Sequence, residues 1–249
     1  MRIETATEPG SPDVPNEDFV SVAVPADGGG ALVLLDGVTP PPGNGGCVHS
    51  VPWFAARLGG ALLELAARRE APLADCLAAA VARTAQAHEG TCDLSHQLTP
   101  QATVVAARWD EAAVEYLVLS DSALLLAGPD GTVTAVLDDR IDRLRERGVR
   151  LAPLRNREGG FFTAAADPAV AAKAVTGSVP RDRVRALAAL TDGAARSVEV
   201  YRTDGWAGAF GLLRGAGPGA LIARVRALEA ERPAPGKAHD DATAVLVEL

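Results

Sequence analysis

The chain alternates between short, densely apolar runs and longer stretches whose apolar residues recur at helical spacing. "DFVSVAVP" (18–25) and "ALVLLD" (31–36) are compact and rich in Val and Leu, and "ADGGG" between them supplies a turn, so they predict two paired strands. "SVPWFAARLGGALLELAARR" (50–69) spaces Trp53, Phe54, Leu58, Leu62, Leu63 and Leu65 as a helix does. Pro52 fits its first turn, and Pro72 starts a second helix over 72–88. Strands return at 101–109, 112–120, 123–128 and 132–137, separated by "DE", "DS" and "PDG" turns, as a four-strand antiparallel meander. Residues 138–162 are charged and Gly-bearing and read as a mobile surface excursion, with "RIDRLRERGVR" (140–150) as a solvated face. A strand over 184–191, helices at 206–213 and 218–231, and a closing strand at 242–249 complete the pattern. Strands grouped with strands and helices with helices favour an α+β sandwich over a doubly wound sheet. No composition break marks a second domain, so 1–249 reads as one unit.

Composition narrows the function. Of 249 residues, 48% are hydrophobic but only 4% aromatic, so the core must be built from Ala, Val and Leu. A net charge of −8 opposes nucleic-acid binding, whose footprint is basic. No apolar run reaches the roughly 18 residues of a membrane span, and the N-terminal segment lacks a signal pattern. The expectation is a cytoplasmic protein with neither nucleic-acid nor membrane partners. Cys47, Cys76 and Cys92 are too few and too scattered for a disulfide framework or zinc ribbon. His88, Cys92 and His96 are in steps of four, but "EGTCD" breaks the helix that would align them, so a solvated loop is the expectation there. Trp53, Trp109 and Trp206 read as packing residues.

The informative device is an acid at the end of each apolar strand. Asp36 follows "LVLL", Asp121 follows "YLVLS", Asp192 follows "LAALT", Asp240 precedes "ATAVLV", and Glu17-Asp18 precede "FVSVAV". Asp-Gly alone is a common turn dipeptide, but a sheet that gathered these acids along one edge would need cations to neutralise them. Oxygen donors without adjacent His or Cys suit Mg²⁺ or Mn²⁺ rather than Zn²⁺. Glycine after Asp36 and Asp192 would allow a sharp turn and close approach of a carbonyl.

"PNEDF", "LLDGV", "QATVVAAR", "LSDS", "ALTDG" and "HDDATAV", in that order from about residue 10 to the C-terminus, resemble the metal-dependent serine/threonine phosphatases of type 2C, the PPM family, in its bacterial form. The resemblance implies a four-layer α-β-β-α sandwich of two antiparallel sheets flanked by helices, with a variable flap at about 138–180. It implies two Mn²⁺ or Mg²⁺ ions, with Asp36 bridging them, the Gly37 carbonyl holding one, and Asp192 and Asp240 binding the other. Glu17 and Asp18 would orient waters at the metals, and Asp121 matches an acid linked to a third metal. The implied activity is hydrolysis of phosphoserine and phosphothreonine in proteins by an activated water.

Three departures qualify this reading. Asp13 stands in the neighbourhood where the family often places a phosphate-gripping arginine. Arg196 stands where another third-metal carboxylate can occur, which argues against a complete third site and makes Arg196 a candidate phosphate contact. Ser120 replaces a usual glycine, and Val38 leaves no histidine directly after Asp-Gly, so protonation of the leaving group falls to water or to His49. Two alternatives stay open: a weak or inactive relative that binds a phosphorylated partner as a regulatory module, and a small-molecule phosphatase on the same centre.

Overall fold

The computed structural model describes residues 1–26, 28–40, 45–233 and 237–249. Ten strands are described: β1 (Arg2–Glu8), β2 (Phe19–Ala23), β3 (Gly30–Leu35), β4 (Val104–Trp109), β5 (Ala113–Leu119), β6 (Ala123–Ala127), β7 (Val133–Val136), β8 (Val175–Pro180), β9 (Ala186–Leu190) and β10 (Ala242–Glu248). The helices are α1 (Val51–Arg68), α2 (Leu73–Gln86), α3 (Arg140–Glu146), α4 (Asp192–Glu199), α5 (Trp206–Ala216) and α6 (Pro218–Glu231). The strands form two five-stranded antiparallel sheets, ordered β1-β10-β9-β6-β7 and β2-β3-β4-β5-β8.

Alternation along each strand divides its residues between two apolar layers. Leu32 and Leu34 of β3 and Val105, Ala107 and Trp109 of β4 meet Leu124, Leu187, Val245 and Val247 of the other sheet, filling the space between the sheets. The intervening residues Val33, Leu35, Val104 and Ala106 face outward under α1 and α2. On the opposite side, Leu125, Ala188, Leu190, Ala244 and Leu246 lie under α4, α5 and α6. This is the α-β-β-α order. Both faces of the central strands are covered, which is why they read as unbroken apolar runs.

Four features depart from the sequence reading. β1 was not anticipated: "RIETATE" is a half-exposed edge strand whose polar side chains mask its alternation, and it pairs with β10. The meander is divided, because β4 and β5 belong to one sheet while β6 and β7 belong to the other. Ser120 makes that crossing at φ +72°, in the left-handed region where glycine is at ease. α4 begins on Asp192 itself. The charged excursion has its own small core, in which Ile141 and Leu144 of α3 pack on Phe161. It also ends before the flap boundary at 180, since residues 175–180 are an edge strand on β5.

Antiparallel register places the acids. Phe19 opposes Leu35, so Asp18 and Asp36, one residue beyond each, fall side by side. Leu190 opposes both Ala123 and Ala244, which brings Asp192, Asp121 and the residues before β10 to the same end of the second sheet.

Candidate metal centre

The carboxyl groups of Asp36 and Asp192 come together from the two sheets, close enough for each to perturb the other's ionisation. Burial, followed by the charges of Asp192, Asp18, Asp121 and Asp240, holds the Asp36 carboxyl well above the usual carboxylate range. Burial likewise raises Asp192 to about 7, with Asp121 and Asp240 adding to it. Asp18 is also raised to about 7, by burial and then by Asp241 and Asp192, against hydrogen bonds from Thr243 and Thr191 that favour its ionised form. Glu17, raised by burial, accepts a hydrogen bond from Thr39 Oγ1 at 2.6 Å.

The two Asp-Gly pairs have a different basis from the one the sequence suggested. Neither Gly37 nor Gly193 has a positive φ. Each is needed because a side chain has no room. A Cβ on Gly37 would lie 2.5 Å from the Glu17 carbonyl oxygen and 2.5 Å from a Val51 methyl, and one on Gly193 would collide with the Asp241 carbonyl oxygen. The glycines let three chain segments close on Asp36 and let α4 close on the Asp240 segment.

Asp241, which the sequence reading passed over, fastens the N-terminal segment to this centre. Its Oδ1 accepts from the Gly10 N–H and its Oδ2 from the Glu17 N–H, each at 2.7 Å. Thr191 Oγ1 donates to Asp18 at 3.1 Å and accepts from the Thr243 N–H at 2.9 Å, joining β9, β10 and the entry to β2. Asp240 pairs with Lys237, and its carbonyl accepts from Arg226 at 2.8 Å.

Arg196 lines the cleft but is held from behind by an ion pair. Its guanidinium is 2.9 Å from Glu229, whose side chain is wholly buried, and donates to the Lys237 carbonyl at 3.0 Å. Arg226 at 2.9 Å and His239 at 2.6 Å also face Glu229. This network ties α4 and α6 to the segment carrying Asp240. Asp121 lies 3.4 Å from Arg145 and accepts from Ser120 Oγ at 3.2 Å. Asp13 is exposed, and its N–H donates to Ser11 Oγ. His49, a candidate general acid, stacks on Trp53 at 3.9 Å and faces Cys92 rather than the acids. Residues 41–44 of the proline- and glycine-rich loop lie outside the described residues.

A cleft of about 690 Å³ opens over Asp192 and Asp240, with Arg145, Arg202, Lys237 and Glu199 on its walls. The donor set fits divalent cations. Its carboxylates are buried against one another, and Asp18 Oδ1 is buried without a hydrogen-bond partner among the described residues. Only oxygen is offered, the preference of Mg²⁺ and Mn²⁺.

Glu199 gives the cleft a measurable pH dependence. Burial, then Asp142, Asp192 and Asp121, raise it to about 8, partly countered by Arg145. An acid raised in the folded state binds its proton more tightly there than in the unfolded chain. Its stabilising contribution is therefore complete below the ordinary glutamate value and is lost as pH climbs toward 8. In chelator-treated protein, Glu199→Gln should raise stability at pH 8 by about 1–2 kcal/mol, discounted for partial exposure, and change it little at pH 5. Urea unfolding at the two pH values checks this.

Among solved structures, the chain resembles bacterial serine/threonine phosphatases over its whole length. The S. agalactiae serine/threonine phosphatase matches with a TM-score of 0.66 at 14% identity, covering 100% of this chain and 99% of that one. PstP/Ppp of Mycobacterium tuberculosis matches with 0.61 at 18% identity, covering 100% and 98%. Stp1 from Staphylococcus aureus matches with 0.63 at 14% identity, covering 99% and 94%. No protein-family profile and no curated protein sequence matches the chain.

Proposed function

We propose that this chain, which has the fold of the bacterial type 2C serine/threonine phosphatases, is a Mn²⁺- or Mg²⁺-dependent phosphomonoesterase acting on phosphoserine and phosphothreonine in proteins. The observation that carries the reading is the convergence of Asp36, Asp192 and Asp240 from three separate strand ends, with Asp36 buried against the other two and Asp192 and Asp240 lining one cleft. Asp36 would bridge two ions, the Gly37 carbonyl would complete one site, and Asp192 and Asp240 the other. Asp121 is the candidate for a third. Bound there, divalent ions would lower the pKa of a water and offset the charge of a phosphate dianion.

The protein's own groups do the positioning. Thr191 directs one Asp18 oxygen and leaves the other, which has no partner among the described residues, free to hold a water. Thr39 fixes Glu17 beside it. Arg145, Arg202 and Lys237 bring positive charge to the cleft wall, joined by Arg196, which is paired with Glu229. With such ions bound, a water would be the nucleophile, so no side-chain nucleophile is required. No helix among the described residues is long and apolar enough to cross a membrane.

A second reading, a feeble relative that retains a phosphorylated partner, is favoured by one observation. Asp13 is acidic and Arg196 is locked on Glu229, so neither supplies the expected phosphate grip. Comparing a phosphothreonine peptide, a phosphoserine peptide and small phosphate esters under Mn²⁺ separates these possibilities. The enzyme reading expects multiple turnover with the peptides at higher kcat/KM. Binding without turnover establishes the second reading, and turnover of small esters alone places the substrate among metabolites.

A further inference from the structure

Four soft donors meet between the entry to α1 and the exit from α2. Cys47 and His49 lie just before α1, whereas His88 and Cys92 follow α2. The Cys47 sulfur is 2.9 Å from that of Cys92 and 3.4 Å from His88 Nδ1. His49 Nδ1 is 3.4 Å from the Cys92 sulfur and 3.7 Å from that of Cys47. All four donor atoms fall within 4.8 Å of one another.

The surroundings hold this convergence in place. The Cys92 N–H donates to the His88 carbonyl at 3.0 Å, so one helical turn persists past α2 and keeps both side chains on one face. The Asp93 N–H donates to the Gly46 carbonyl at 2.7 Å and pins the segment carrying Cys47. Trp53 stacks on His49 and lies 5.4 Å from the His88 ring, with Phe54 beyond, forming an aromatic wall. His88 is 2% exposed, and its Nε2 has no hydrogen-bond partner among the described residues. Among the described residues the His88 ring is hydrogen-bonded only to the Cys47 sulfur, a weak partner for a buried imidazole.

We propose that Cys47, His49, His88 and Cys92 form a structural Cys₂His₂ zinc site, separate from the acidic centre. Two thiolates and two imidazoles are the closed tetrahedral donor set of structural zinc, and they differ in kind from the all-oxygen cleft. Burial works against ionising Cys92, but hydrogen bonds involving Cys47, Thr91, Val48 and His49 outweigh it and bring its thiol down to about 5. Burial and the bond to Cys92 raise Cys47 to about 11. Zinc binding would displace the thiol protons. His96, the third member of the in-step series in the sequence, is outside the cluster and accepts from the Leu98 N–H instead.

The consequence is architectural. The metal would clip the chain before α1 to the end of α2, next to Val51, which packs against Gly37. It would brace the helical layer behind Asp36 while touching none of the acids.

The test uses the full chain purified under reducing conditions, stripped of loosely held ions with Mg²⁺ and desalted. Elemental analysis should find about one zinc per chain, as a closed four-ligand site requires. An organomercurial thiol reagent should release that zinc into a chromogenic chelator without any mutation. Cobalt(II) reconstitution should give the charge-transfer absorption of a thiolate-bound tetrahedral ion. Asp36→Ala should keep both zinc and the cobalt band, whereas Cys92→Ser, checked by circular dichroism, should lose both. If Cys92→Ser does not fold, His49→Ala at the more exposed ligand should weaken zinc retention at least tenfold. Zinc that is absent from folded wild-type protein, or lost in Asp36→Ala and kept in Cys92→Ser, overturns the proposal. So does a chain mass showing a Cys47–Cys92 disulfide in the reduced preparation.

Discussion

Asp36→Asn should lower phosphate release by at least about 10²–10³-fold, the scale of losing a charged group aimed at the reacting centre. It should also make the metal-free protein more stable. Both effects follow from one arrangement. Asp36 is buried among Asp192, Asp18, Asp121 and Asp240, so its charge is unfavourable until cations arrive. An amide removes that repulsion and keeps the shape, but it cannot bridge two ions. Steady-state kinetics under saturating Mn²⁺, with thermal melting in chelator, reads both signs at once. Lost activity with lost stability would instead mark Asp36 as a folding residue.

Glu229→Ala should destabilise the fold by about 3–5 kcal/mol, the cost of leaving a buried partner charge uncompensated. Arg196, Arg226 and His239 all face that carboxylate, which is completely buried. Arg196 and Arg226 also hold the Lys237 and Asp240 carbonyls, so the same change should raise the Mn²⁺ concentration needed for half-maximal activity. Glu229→Gln should fall between, because it keeps the shape and loses the charge. Urea unfolding gives the stability loss, and a double-mutant cycle with Arg196→Ala should show strong coupling. Additive effects would mean that the two side chains do not act as a pair.

The central strands were readable because both of their faces are covered, so Leu32–Leu35 and Val104–Ala107 are apolar without interruption. Their acidic ends were readable for the same reason, since a carboxylate stands out against such a run. β1 was not, because an edge strand with Arg2, Glu4 and Glu8 looks like a polar tail. The crossing at Ser120 was hidden because a turn of that length can equally close a hairpin or change sheets. The ion pair of Arg196 was hidden: Glu229 in "ALEAERP" resembles a solvated helix face, and only the tertiary structure buries it. The sulfur–imidazole cluster could not be read from spacing. Cys47 and Cys92 are 45 positions apart and are joined by the packing of α1 on α2. Asp241 was visible as a residue, but its work depends on where Gly10 and Glu17 pass.

The most direct test of the central claim is hydrolysis of p-nitrophenyl phosphate by chelator-treated protein, before and after Mn²⁺ or Mg²⁺ is restored, beside Asp36→Ala/Asp192→Ala. A two-metal phosphatase gives no turnover without metal, recovers it when metal is added, and shows none in the double variant. Turnover that survives complete metal removal, or that persists in the double variant, would contradict the account.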